Sequence, residues 1–236
     1  MREVAGSFRG GAEHRSLPAG VAEQGFLARL SNELIDELIE SAHSVAYPTG
    51  SIIETPSRVG LAVVVSGALR YYLSAADGRQ LTVGYLGPGR VIGSLERRPG
   101  SMIHLQVIAP TIMWHLHAER VQTLIQRRPD LTQAFLEEAT VALRHSYRVL
   151  AASAFMTVRA RVARDIIERA SLAGPLRAGV HLSVTHQSLA DATGSVREVV
   201  ARTLRKLSRE GIITTGGGGV TVVDPVALTR LAGYVT

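Results

Sequence analysis

The chain has 236 residues, 46% of them hydrophobic and 19% charged, which suits two modest cores and excludes a disordered polymer. It contains no cysteine, which excludes disulfides, thiolate zinc sites, cysteine nucleophiles and cysteine-held iron–sulfur clusters. The formal net charge of +6 is uneven: residues 1–154 hold 15 basic against 14 acidic side chains, residues 155–236 hold 11 against 6, so the smaller C-terminal part favours a polyanionic partner.

Residues 1–20 lack periodicity and read as a flexible tail. Their opening, MREVAGSFRGG, has no apolar signal core, and the longest apolar runs, such as Leu61–Val65, are strand-sized. A cytoplasmic protein with no membrane partner is expected. Gly25–His43 predicts a short helical region with Leu27, Leu30, Leu34, Leu38 and Ile39 on one side and Ser31 as its cap. From Val45 to about His117 the apolar residues alternate at period two. Breaks at Asp77-Gly78, Gly87-Pro88-Gly89 and Pro99-Gly100 make this a set of short strands, hence a small antiparallel barrel or jelly-roll-like β-roll.

Helical periodicity returns at Ala118, with a short helix Glu119–Arg127 and a long one, Pro129–Ala152, begun by its proline. Leu131, Phe135, Leu136, Val141, Leu143 and Leu150 give the long helix more apolar surface than one small roll covers. A second copy of the helix would bury the remainder and make a parallel homodimer. Packing entirely on its own domain is the alternative. Phe155–Leu172 predicts another helix and Gly174–Gly179 a loop. The expected divisions are therefore the tail 1–20, the roll 21–128, a dimerisation helix and hinge 129–154, and a final domain 155–236.

That final domain holds the most informative stretch, THQSLADATGSVREVVARTLRKLSR at 185–209. His186–Ala192 predicts a helix with Leu189 and Ala190 as its apolar side. Thr193-Gly194-Ser195 breaks it, with Gly194 suited to a positive-φ corner. Ser195 is the expected cap of a second helix whose apolar side is Val196, Val200, Leu204 and Leu207. The opposite side presents Arg197, Glu198, Ala201, Arg202 and Arg205. Arginine can reach guanine O6 and N7 with two parallel hydrogen bonds, and a carboxylate can accept from cytosine N4. Arg197, Glu198 and Arg202 are thus candidate base readers. Thr185, His186, Gln187, Ser195 and Arg205 are candidates for the DNA backbone. Helical spacing alone fits a solvated basic helix equally well; turn, cap and two-sided pattern together favour DNA. Downstream, IITTGGGGVTVVD predicts a hairpin, a wing whose Gly216–Gly219, with Gly217 and Gly218 as the backbone-contact candidates, bring amides close to phosphate or merely form a loose turn.

The order of roll, long helix and winged helix-turn-helix resembles the CRP/FNR family of bacterial transcription regulators. YPTGSIIE, VVVSGALRYYLSAADGRQLTVGYLGPGRVIG and LIQRRPDL are similar to that family's sensor domain, AFMTVRARVA at 154–163 to its hinge, and QSLADATGSVREVVARTLRKL to its recognition motif. The resemblance implies an α+β chain, a near-palindromic double-stranded DNA operator, a contact with RNA polymerase and a small-molecule effector. Val196 falls where some members carry a phosphate-binding serine. Cyclic-nucleotide binders of the family use a Gly-Glu-Leu cassette and an arginine that takes the phosphate. Here the cassette reads Gly93-Ser94-Leu95, and Ile103 or His104 stands in the arginine's place. These residues, with Ser146 and Tyr147 on the long helix, are the candidate effector pocket, and an effector other than cyclic AMP is expected.

His115 and His117, two apart on an expected strand, would share a face and with His104 could hold a metal or haem; surface or partly buried polar roles are the commoner fate of such a pair. No Gly-x-Ser-x-Gly elbow, Walker loop, dinucleotide fingerprint or His-Glu-x-x-His motif is present, so no catalytic residue is assigned and no enzyme is expected. No resident cofactor and no metal are assigned. A constitutive regulator with a non-sensing roll, and a cyclic-nucleotide-, haem- or metal-responsive one, remain the alternatives.

Overall fold

Alternating strand patterns followed by helical ones produce an α+β chain. The computed structural model describes residues 17–40, 42–54, 60–94, 103–172 and 174–233. The expected tail falls outside the described residues up to residue 16, and Leu17 already packs against the N-terminal core. Ser31 caps helix α1 (Asn32–Ile39), accepting from Leu34 N at 3.2 Å, and a 3-10 turn Leu27–Arg29 precedes it. The helical region is shorter than expected. It ends at Ile39, and His43 already opens strand β1 (His43–Tyr47).

Strands β2 (Ile52–Glu54), β3 (Gly60–Ser74), β4 (Gln80–Leu86), β5 (Val91–Ser94) and β6 (Ile103–Leu116) complete a six-stranded sheet ordered β1-β6-β3-β4, with β2 on β6 and β5 on β3. Antiparallel pairing sets His43 opposite His115 and Tyr47 opposite Thr111, and Gly60 opposite Ser94. Two strands are long rather than short: β3 has 15 residues and β6 has 14, running through Pro110. In β3, simple alternation also fails. Leu61, Val63 and Val65 join the core beneath α1, yet Ala62 and Val64 of opposite parity are buried too, so this strand is covered on both faces.

Two helices follow, α2 (Ala118–Arg127) and α3 (Pro129–Phe155). The latter extends three residues past the expected end, and α4 begins only at Val158 (Val158–Ser171), because Thr157 caps it by accepting from Ala160 N. Phe155 is therefore the last residue of the long helix, not the first of the next. Leu136, Leu143, Tyr147 and Leu150 remain exposed along α3.

The chain divides into two compact units, each with its own core. In the first, Phe26, Leu34, Leu38, Val63, Trp114 and Leu131 pack together, and the Phe26 and Phe135 rings lie 4.7 Å apart. The buried Glu138 is held there by Arg29 at 2.7 Å and Arg90 at 3.0 Å. The second unit contains residues 70–85 of the β3–β4 hairpin, the C-terminal half of α3 and everything after it. Here β7 (His181–Leu182), α5 (His186–Thr193), α6 (Arg197–Arg209), β8 (Ile213–Gly216), β9 (Gly219–Val222) and α7 (Pro225–Leu231) follow in order. The last of these has no counterpart in the sequence reading, although Asp224 at its cap and Pro225 at its first position are a start signal. A three-stranded sheet, β7-β9-β8, forms the wing.

Candidate DNA-binding interface

The apolar sides of α4, α5 and α6 meet in one core through Val162, Ile166, Leu189, Val200, Leu204 and Leu207. Burying that side of α6 leaves Arg197, Glu198, Arg202 and Arg205 exposed on the other, as the spacing predicts. Ala201, between the arginines, is only partly exposed.

Thr185 fixes the start of α5. Its Oγ1 accepts from Ser188 N at 3.0 Å, and Ser188 Oγ accepts from Thr185 N at 3.1 Å, a reciprocal cap. The Thr185 hydroxyl proton stays available to a phosphate oxygen. His186 and Gln187 are exposed in the first turn, and the Gln187 amide donates to Asp191 Oδ1 at 2.7 Å, which holds it in one pose.

Gly194 turns the corner at φ 60°, closing α5 with its N–H on Ala190 O. Ser195 does not cap α6. Its N–H also bonds Ala190 O, and after the left-handed corner the chain needs one more extended residue, so the cap position falls on Val196. Val196 has no side-chain oxygen to offer. Nor does it join the core: it is 55% exposed.

The wing turn has positive φ at both Gly217 (58°) and Gly218 (77°), the conformation a two-residue hairpin loop demands. A Cβ on Gly219 would stand 2.0 Å from Leu182 O, so β7 can pair with β9 only because that residue is glycine. Gly216 differs, since its φ is ordinary and a Cβ there meets nothing within 4 Å.

Between the start of α5, the start of α6 and the wing lies an open hollow of about 650 Å³. Thr185, His186, Gln187, Arg197, Gly216 and Gly218 line it. All six are candidates from the sequence, separated there by up to 33 positions, whereas Val184, Thr215 and Val220, which also line the hollow, are not singled out there. Glu198, Arg202 and Arg205 continue the surface along α6. Donors converge here without an enclosed cavity, which suits a phosphate rail with base edges beside it.

The residues of the candidate effector pocket serve several local purposes. Gly93 pairs with Leu61, and a Cβ there would lie 2.1 Å from Gly60 O, so strand packing accounts for the glycine. Ser94 ends β5, and Leu95 lies outside the described residues. Ile103 opens β6, while the His104 ring stacks on Tyr72 at 5.3 Å. On α3, the Ser146 hydroxyl donates to Ala142 O at 3.0 Å, and Tyr147 is exposed.

His117 is not on the strand with His115. It leaves β6 and occupies the cap position of α2. His115 instead contacts His43, stacked at 5.1 Å, and Tyr47, whose hydroxyl is 2.9 Å from its Nε2. Burial first, and then the facing His43, holds His115 below the usual imidazole pKa. Among the described residues no three His, Asp or Glu side chains converge on a metal position, and no helix is long and apolar enough to cross a membrane.

A family model described as the Crp-like helix-turn-helix domain matches residues 160–231, which contain α5, α6 and the wing. The transcriptional regulator LdrP of Thermus thermophilus is 33% identical over 172 residues, covering 71% of this chain and 84% of that protein. The cyclic AMP receptor protein of the same organism is 28% identical over 212 residues, covering 86% of this chain and 94% of its own. Among solved structures, the c-di-GMP-responsive global regulator CLP of Xanthomonas campestris matches with a TM-score of 0.71 at 25% identity, over 82% of this chain and 99% of that one.

Proposed function

The chain belongs to the CRP/FNR family of transcription regulators, which bind DNA and are not enzymes, and from that premise we propose that it works as a homodimer on a near-palindromic operator. The observation that carries this reading is the hollow shared by Thr185, His186, Gln187, Arg197 and the wing, continued by Arg202 along α6. In the dimer, two copies of α6 stand about 34 Å apart and enter successive major grooves. Arg197, Glu198 and Arg202 read base edges. Arg205, Thr185, His186, Gln187 and the amides of Gly217 and Gly218 hold the backbone; Ser195 does not cap α6 and contributes from the corner between α5 and α6. The stripe Leu136, Leu143, Leu150 on α3, repeating every seven residues, is the surface that the second copy covers. RNA polymerase is the expected protein partner.

The effector is other than cyclic AMP. One relative's name states cyclic AMP and another's cyclic di-GMP, so membership itself selects no ligand. This chain's cassette carries Ser94 in place of a ribose-binding glutamate, and Ile103 or His104 in place of the arginine that would neutralise a buried phosphate.

The test is to select bound fragments from genomic DNA with the purified protein, then titrate the recovered site with and without cyclic AMP and cyclic GMP. Equal affinity in every condition supports an effector of another kind or a constitutive regulator; a nucleotide-dependent rise overturns the assignment of Ser94. Arg197→Ala or Arg202→Ala should cost about 1–3 kcal/mol at the specific site while sparing the oligomer. Equal loss on random DNA would reduce both to phosphate contacts.

A further inference from the structure

None of the residues lining the hollow is acidic, yet a carboxylate stands one turn behind it. Asp191 lies four residues after Gln187 on α5, so the two share a face of the helix, and Asp191 Oδ1 accepts from the Gln187 amide at 2.7 Å. Asp191 is a costly choice at that place. It falls in the last turn of α5, which ends at Thr193, where the negative end of the helix dipole disfavours an anion, and aspartate has a low helix propensity. Beside DNA it also repels the phosphates that Gln187 meets. A surface pair at this spacing stabilises a helix only slightly, which does not offset these costs. The same carboxylate lies within electrostatic reach of the buried Arg70 guanidinium, whose surroundings are the competing use for it.

The bond to Gln187 supplies a direction. The glutamine amide accepts at Oε1 and donates at Nε2, and its terminal torsion is broad and two-fold, so a free side chain shows either atom to a partner. An ionised carboxylate only accepts. Beside Asp191 the amide therefore turns Nε2 inward and uses one of its two N–H groups there. The other N–H remains for an outside acceptor such as a phosphate oxygen. The flipped amide would meet that oxygen with lone pairs.

We propose that Asp191 is a positioning residue for DNA binding, which sets the sense of the Gln187 amide so that an N–H, and not Oε1, meets the phosphate; this rests on the DNA-binding reading above. The arrangement places one negative charge near the duplex in exchange for an oriented donor.

Asp191→Ala in the full-length protein separates the two effects by sign, with affinity for the recovered operator read at fixed salt. Charge alone predicts tighter binding once a carboxylate near a polyanion is removed. The expected result is the opposite, about fivefold weaker binding, the scale of ordering one rotamer-rich side chain on association. With Gln187→Ala already in place, Asp191→Ala should cause no further loss. Asp191→Asn keeps an oxygen for the amide without the charge and should restore the wild-type affinity. The melting temperature of Asp191→Ala should stay level or rise, because alanine is the better helix former. Unchanged or tighter binding in Asp191→Ala overturns the assignment, as does an equal loss in the Gln187→Ala background. A fall in melting temperature that accounts for the weaker binding overturns it too, in favour of the surroundings of Arg70. Arg197→Ala is the control for the underlying reading. If that variant weakens binding and Asp191→Ala does not, only the positioning role fails; if the wild type recovers no specific site, the DNA-binding reading fails and takes the role of Asp191 with it.

Discussion

Val196 sits at a helix cap without a capping oxygen, which leaves the first N–H groups of α6 to solvent or to a phosphate. Val196→Ser supplies the acceptor and should raise stability by about 1 kcal/mol, read as the denaturant midpoint; the same hydroxyl should tighten DNA binding uniformly across sequences. His115 offers a test on the other unit. Its folded pKa lies below the ordinary 6.5, so below that value the unfolded chain binds the extra proton first. Stability from this group is complete above about pH 6.5 and is lost as pH falls toward the folded value. His115→Gln, which keeps an acceptor for Tyr47, should flatten the change in melting temperature between pH 7.5 and pH 5.5. An equally steep decline in the variant would show that other groups govern it.

Among the elements, the wing separates what glycine does for the fold from what it does for a partner. Gly219→Ala forces a Cβ to within 2.0 Å of Leu182 O, and parting β7 from β9 should cost about 2 kcal/mol. Gly216→Ala meets open space and should leave the melting temperature unchanged. The hairpin itself is legible in sequence because β-rich runs flank a glycine string, but a string of four identical residues cannot say which one a neighbouring strand presses against. The recognition helix is legible for the same kind of reason: one side must be apolar to pack, so the other shows its arginines. Its cap is not, since Ser195 and Val196 differ in role by the single extended residue required after the Gly194 corner. Likewise, alternation marks β3 as a strand, but burial of both Leu61–Val63–Val65 and Ala62–Val64 depends on what covers each face.

For the whole molecule, α3 is decisive. Leu143 and Leu150 are 52% and 65% exposed although they repeat with Leu136 at seven-residue intervals. Leu143→Glu with Leu150→Glu should convert a dimer to a monomer in sedimentation while leaving each chain folded. Losing the second half-site should then weaken operator binding by about a hundredfold or more. A monomeric wild type that binds its site as tightly as the double variant would remove the dimer from the mechanism.

The sequence by itself determined the kinds of element and their order up to the wing, the position of the turn before α6 and the charged side chains that α6 leaves exposed, because each follows from periodicity or backbone chemistry within a few residues. Only the tertiary structure decided that Thr185, Gln187, Arg197 and Gly216 share one hollow, that His104 stacks on Tyr72 and His115 on His43, and that Tyr85 reaches Asp165 across 80 positions. Those pairings depend on which strand lies beside which helix, a matter of long-range packing in which no local pattern of residues takes part.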